Sequence, residues 1–181
     1  MGPMKIICIL LILAGLGQAE DIIFFADDHY KSISKIELYA SATNPALVPG
    51  DAVLRISLAN HGKIEELLPI SSIGSPDDIL LEMKGEMNSS DAMEIRALLE
   101  APEPLLVTSG RQYIPVLPPG EARELQFNLT IDRRADGWYD LPLKLNYVHQ
   151  VDVSASDGEV FPLLQSSNQS LNLRIYISGN K

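Results

Sequence analysis

Two alternating runs set close together constrain this chain more than any other feature. From Glu124 to Ile131, residues Leu125, Phe127, Leu129 and Ile131 fall on one face and Gln126, Asn128 and Thr130 on the other. From Asp140 to Tyr147, residues Leu141, Leu143, Leu145 and Tyr147 face one way and Pro142, Lys144 and Asn146 the other. A period of two is the repeat of a β-strand with one face buried. Between the runs, Asp132 to Tyr139 carries Gly137 and reads as a turn, so the two strands are expected as a central pair. Pro118-Pro119-Gly120 sits in front of the first run, because prolines and a glycine set a turn and do not fit inside a ladder.

Further short strands follow from the same pattern. Ile36, Leu38 and Ala40 alternate, and Leu54, Ile56 and Leu58 alternate again after the turn Asn44 to Asp51. That strand ends at Asn60-His61-Gly62. Leu105 to Val107 and Gln112 to Val116 are short edge segments, Ser154 to Gly158 is a polar loop, and Leu171, Leu173, Ile175 and Ile177 form a closing strand. Asp91 to Glu100 is ambiguous locally. Ser90 as a cap and the stripe Ile95, Leu98, Leu99 suit a helix, and Ala, Met, Leu and Glu favour one. The alternation Met93, Ile95, Ala97, Leu99 suits a strand, and a strand is expected because the neighbouring elements are β. About seven short strands with turns between them are the mark of an all-β, immunoglobulin-like sandwich. One segment, 63–90, is far longer than a strand connection requires and is expected as an insertion between two strands. Ser71 to Asp78 has loop composition, and Ile79 to Lys84 fits a short strand or a helical turn.

The first residues do not belong to that domain. Met1 to Lys5 is weakly basic, Ile6 to Leu16 is an unbroken apolar run, and Gly17-Gln18-Ala19 offers small residues for cleavage. Residues 1–19 therefore read as a secretory signal, too short for an ordinary membrane span, with a retained anchor as the alternative. Residues 20–33 form an N-terminal extension, in which Ile22 to Phe25 reads as a short edge strand, and 34–181 is the sandwich domain. Cys8, the only cysteine, lies within the apolar run, too deep for lipid attachment, so the mature domain holds together by core packing without disulfides. Loss of the signal leaves 13 basic against 24 acidic residues, a net charge of −11. Such a surface argues against nucleic acid and anionic lipid as partners, and no membrane span is expected after the signal is cleaved.

The motifs Val48-Pro-Gly-Asp, Leu58-Ala-Asn-His-Gly, Tyr113-Ile-Pro-Val-Leu-Pro-Pro-Gly-Glu and Gly137-Trp-Tyr-Asp-Leu-Pro-Leu occur in that order. In this order they resemble the immunoglobulin-like domains of archaeal S-layer-associated and cell-surface proteins, akin to CARDB adhesion modules. The resemblance covers roughly residues 34–178. It departs at the corner Ala135-Asp136-Gly137, which lacks the usual proline, and at the long segment 63–90. The resemblance implies a non-catalytic module of the cell envelope, with other surface proteins or polysaccharide as partners and no cofactor. Under it Gly137 and Tyr139 form a structural corner, where a tyrosine can hydrogen-bond back to the backbone. The alternative for Tyr139 is an ordinary half-buried aromatic. Trp138 points to the opposite face, either capping the sandwich edge or standing exposed as a contact residue. Capping is expected, since a lone exposed Trp needs apolar surroundings to make a patch.

Chemistry is sparse. No nucleophile elbow, phosphate loop or dinucleotide glycine pattern occurs. His29, His61 and His149 are widely separated, and Asp27-Asp28-His29 reads as a solvated turn rather than a metal site. No catalytic, cofactor-binding or metal-ligating residues are expected. Three sequons, at Asn88, Asn128 and Asn168, are candidate glycan acceptors in an exported chain. Asn88 lies in a loop, and Asn128 faces outward, where a glycan needs an uncovered sheet. The expected function is thus that of an exported, non-enzymatic envelope module for structure or protein–protein contact. The alternatives are a carbohydrate-binding module, which wants several exposed aromatics on one face, and an accessory subunit of a secreted enzyme.

Overall fold

The computed structural model describes residues 28–179, so the secretory segment, the run Ile22 to Phe25 and Asp27 lie outside the described residues. Eleven strands and one helix follow in order: β1 (Tyr30–Lys35), β2 (Leu38–Ala42), β3 (Ala46–Leu47), β4 (Gly50–Asn60), β5 (Lys63–Pro69), α1 (Pro76–Glu86), β6 (Ala92–Leu99), β7 (Leu105–Val107), β8 (Gln112–Leu117), β9 (Ala122–Ile131), β10 (Gly137–Ser156) and β11 (Glu159–Ile177). Nine of the strands form two sheets, in the orders β2-β4-β9-β7 and β3-β11-β10-β6-β8, and β1 pairs with β5 as a separate ribbon. The first order matches the A, B, E and D positions of an immunoglobulin sandwich, and β6, β10 and β11 take the C, F and G positions. The chain is therefore an all-β, immunoglobulin-like sandwich, with more strands than the alternation alone suggested.

The two alternating runs supply the centre of the core, but not as partners. Leu125, Phe127, Leu129 and Ile131 on β9 are buried, as are Leu141, Leu143 and Leu145 on β10. Strand β9 pairs with β4 and β7, whereas β10 pairs with β11 and β6. The expected central pair thus belongs to opposite sheets. The corner Asp132 to Gly137 carries the chain from one layer to the other, and the two apolar faces meet across the core. Alternation reports which face is buried. It does not report the lateral neighbour.

Asp91 to Glu100 is strand β6, in spite of its helical propensities, because it lies between β10 and β8 and its apolar face closes the core. Its inner residues are Ala92, Ile95, Ala97 and Leu99, not Met93. A bulge explains the difference: Glu94 has φ of 49°, the pairing with β10 slips beside it, and the alternation restarts one residue later.

Segment 63–90 is an insertion between β4 and β6, as expected, but it is ordered as β5 followed by α1. Pro76 opens the helix and Asp77 and Asp78 occupy its first turn, where fixed φ and negative charge suit a helix start. Asn60, fully buried, fastens both ends of the insertion to the sandwich. Its Nδ2 donates to the carbonyls of Ser90 and Leu117, each at 2.9 Å, and its Oδ1 accepts from Gly62 N at 2.8 Å.

Candidate functional site

The built-out end of the sandwich is made by three pieces that sequence alone does not place together. Strands β10 and β11 continue as a hairpin through Ser156 and Glu159, turning at Asp157-Gly158. Both turn residues have positive φ, 54° and 79°, which suits a tight hairpin loop and matches the strand twist. The expected polar loop Ser154 to Gly158 is therefore mostly strand. Helix α1 packs on this hairpin, and β1 lies against the helix. Strand β1 runs from Tyr30 to Lys35, across the junction between the N-terminal extension and the domain.

The helix docks through carboxylates. Glu82 and Glu86 lie one turn apart on the same face and are fully buried. Glu82 accepts from the backbone N of His29 and Tyr30 at 2.5 and 2.7 Å, and its other oxygen contacts His29 Nδ1 at 2.8 Å. Glu86 accepts from the backbone N and the hydroxyl of Ser32 on β1, and from Val153 N on β10 at 2.8 Å. Burial pushes the Glu86 carboxyl up, opposed by the hydrogen bonds from Ser32 and Val153. Burial likewise pushes Asp28 up, helped by the neighbouring charges of Asp152 and Glu82. Gly85 lets the helix backbone come close, since a Cβ there would meet Val153 Cγ1 at 2.8 Å, and its carbonyl accepts from Gln150 Nε2. Asp78 reaches the hairpin tip, accepting from Gly158 N at 2.9 Å. These bonds tie the insertion to β1, to β10, to His29 just before β1 and to the hairpin turn at Gly158.

His29 belongs to this framework. Its Nδ1 contacts Glu82 and its Nε2 lies 2.9 Å from the carbonyl of Ile73, so both ring nitrogens are engaged. Among the described residues no group of three or more His, Cys, Asp and Glu side chains is placed to hold a metal. His61 and His149 lie elsewhere, on the sandwich.

The sequence-derived positions are scattered over the surface. Asn88 is exposed in the turn after α1, with the hydroxyl residue of its sequon, Ser90, buried. Asn128 is exposed on β9, on a sheet face that the described residues leave uncovered. Asn168 is exposed on β11. Gly137 has φ of 95° at the corner, a conformation that glycine adopts without strain. Tyr139 is half-buried and packs against the core, while the corner is closed by Asp136 Oδ1 accepting from Gly179 N at 3.0 Å. Trp138 is 61% exposed and does not cap the edge. Its cross-strand partner is Tyr176, with ring centroids 5.2 Å apart at 59°, and the Arg174 guanidinium lies 5.1 Å from the Trp138 ring centroid. That arrangement rests on the β10–β11 register, which residue order near Trp138 does not reveal.

Two surfaces stand out for contact. The first is the outer side of the insertion, where Ile70, Ile73, Leu80 and Met87 are exposed, Ile73 to 84%. The second is the start of β11, where every residue from Glu159 to Ser166 is exposed and Val160, Phe161, Leu163 and Leu164 are among them. Open depressions mark the surface of the described residues. One of about 440 Å³ lies between Lys35–Tyr39 and Gln169–Leu171, and one of about 380 Å³ lies beside Asn128. Among the described residues no helix is long and apolar enough to cross a membrane. Comparison of the chain with models of known protein families finds no match, and a search of curated proteins finds none either.

Proposed function

We propose that this chain is an exported, non-catalytic module of the cell envelope that makes protein–protein contacts through the built-out end of its sandwich. One observation carries the reading. The insertion is anchored by buried carboxylates on its inner side and presents apolar residues (Ile70, Ile73, Leu80, Met87) on its outer side. Exposed large apolar side chains on a strongly acidic chain favour contact, because leaving them in water is unfavourable. Export is supported by the leader-like residues 1–19, and the envelope setting by the turn motifs that resemble archaeal S-layer-associated, CARDB-like modules. Open depressions suit broad contacts better than enclosure of a small substrate.

The carbohydrate-binding reading has Trp138 and Tyr176 in its favour, exposed side by side on β10 and β11. Their tilt of 59°, and the Arg174 guanidinium over the Trp138 ring, leave less flat aromatic surface than sugar stacking uses. Protein contact is therefore preferred. The test places a photo-crosslinking residue at position 73 in the purified chain and adds isolated cell envelope. A discrete crosslinked protein species, lost in a Leu80→Glu variant of unchanged melting temperature, is the expected result. Crosslinks to polysaccharide alone, or none, would overturn the reading.

A further inference from the structure

The strands of the built-out end differ in how their edges are treated. The edge of β1 that faces α1 has its N–H groups at Tyr30 and Ser32 taken up by Glu82 and Glu86. Past the end of β6, the free side of β10 is occupied in the same way, with Val153 N donating to Glu86 and Gln150 bonding the helix carbonyl at Gly85. Strand β11 is different. Among the described residues its only ladder beyond β10 is with β3, confined to Tyr176 and Ile177, while β2 lies against it at Gln169, whose Nε2 donates to the Leu38 carbonyl at 3.2 Å.

The direction of the open groups follows from the pairing at that end. Tyr176 N donates to the carbonyl of Pro45 and Ser178 N to that of Leu47, so even-numbered residues point their backbone groups away from β10. The register along β11 advances without a skipped residue, since the single shift in this pair lies on β10 between Gln150 and Asp152. The same parity therefore holds back to Glu159. Val160, Leu164, Ser166, Asn168 and Ser170 turn their N–H and C=O groups outward. Pro162, which has no N–H, falls on the outward parity, where its absence does not interrupt the ladder with β10. From Glu159 to Ser170 this edge is about 40 Å long at ordinary strand rise.

We infer that this edge of β11 pairs antiparallel with the same edge of a second copy of the chain. The inference rests on the contact-module reading above and names one of its partners. Charge selects the partner. The chain carries a net charge of −10, yet no charged residue occurs from Val160 to Leu173. Two strongly acidic molecules can approach edge to edge only along such a strip, because like charges placed opposite one another destabilise a strand pair. Charged residues are also the usual device that keeps strand edges apart, and this edge has only Pro162. An antiparallel pair of identical edges is self-complementary about a twofold axis. With the axis near Ser166, Leu164 faces Asn168 and Pro162 faces Ser170. About eight main-chain hydrogen bonds then form between the copies, in the range of a typical interface. The exposed Val160, Phe161, Leu163 and Leu164 gain cover from the neighbouring strand.

The experiment is analytical ultracentrifugation of the purified full chain in detergent-free buffer, over a concentration series into the high micromolar range, with amide hydrogen exchange in parallel. Ser166→Pro removes an outward donor without touching the ladder to β10, and Leu164→Lys places a charge on the strip. Expected is a concentration-dependent doubling of mass for the parent chain, with protection of the Leu164, Ser166 and Asn168 amides. Both variants should remain monomeric with unchanged melting temperature, and if Ser166→Pro fails to fold, Leu164→Lys decides. A monomeric parent chain would overturn the inference. So would association that survives Leu164→Lys, which would point to the leader or another surface. Protected amides in a monomer would show that the chain's own N-terminal segment covers the edge, and would also overturn it. A monomeric chain that still crosslinks to an envelope protein through position 73 would leave the contact reading standing and remove only self-pairing.

Discussion

Glu86→Ala tests whether buried carboxylates, and not apolar packing, hold the insertion in place. The substitution deletes the acceptor for Ser32 N, the Ser32 hydroxyl and Val153 N. The hydroxyl can turn to another acceptor and Val153 N keeps the Asp152 carboxylate at 3.1 Å, but Ser32 N is left without a partner. A buried donor left without a partner costs about 1–3 kcal/mol, and the weakened bonding of Val153 N adds to that. Removing a fully buried carboxylate also relieves its desolvation, which is visible in its raised pKa and offsets part of that cost. A net loss of about 1–2 kcal/mol is expected, a measurable share of the stability of a domain this size. Its location is equally specific. Urea denaturation should show the loss, and native-state hydrogen exchange should show amides of β1 and α1 opening while those beside Phe127 keep their protection. Glu86→Gln, which retains one acceptor oxygen, should fall between parent and Ala variant. A Glu86→Ala chain as stable as the parent, or one that loses protection evenly across the sandwich, would refute the reasoning.

Phe127 is fully buried where the two sheets meet, so Phe127→Ala should cost about 3–5 kcal/mol by denaturant titration, whereas Gln126→Ala on the exposed face should change little. Asn60→Ala strands the carbonyls of Ser90 and Leu117 and the N–H of Gly62, and should cost about 2–4 kcal/mol by the same assay. For pH dependence, burial raises the folded-state pKa of Asp28, Glu86 and Asp91, so the native chain binds these protons more tightly than the unfolded one. Their contribution is fully present below the ordinary carboxylate values and is lost as pH rises through the raised ones. The melting temperature should therefore climb as pH is lowered from neutral toward the ordinary carboxylate range. His149, whose pKa burial lowers, offsets part of this gain as pH falls through the ordinary histidine value, and Asp132, held at about 2 by Arg134, acts in that opposite sense only below its ordinary value. A melting temperature that stays flat or falls over the upper window would contradict the expectation.

The sandwich was legible in the sequence because its core strands bury one face each. Leu125 to Ile131 and Leu141 to Leu145 announce themselves by period, and the prolines and glycines around them mark the turns. Three things were hidden, each for a physical reason. Alternation carries no information on lateral pairing, so β9 and β10 read as neighbours although they face each other across the core. Helix α1 has few apolar residues on its inner side, since it docks through Glu82, Gly85 and Glu86, and a search for an apolar stripe passes over it. The first half of β11 is exposed on both faces and does not alternate, so no periodicity marks it as strand. There a usable signal did exist: Asp157-Gly158 is a strong hairpin turn, and it would have extended both flanking strands.

The polarity of the two halves bears on how function is distributed. The sandwich core is built of Leu, Ile, Phe and Ala, with Asn60 as its buried polar anchor. The built-out end uses Glu82, Glu86, His29 and Ser32 where the sandwich uses leucines. A hydrogen bond to a buried carboxylate is directional, so these contacts set the position of α1 and β1 more narrowly than apolar packing would, at a cost in desolvation. They also place the stability of that end under the control of a few groups, separately from the core. The insertion can then be weakened, by Glu86→Ala or by raised pH acting on Asp28 and Glu86, while the sheets that present the β11 edge stay intact. If contacts are divided as proposed, such weakening abolishes envelope crosslinking through position 73 first, and leaves the pairing of β11 edges in place.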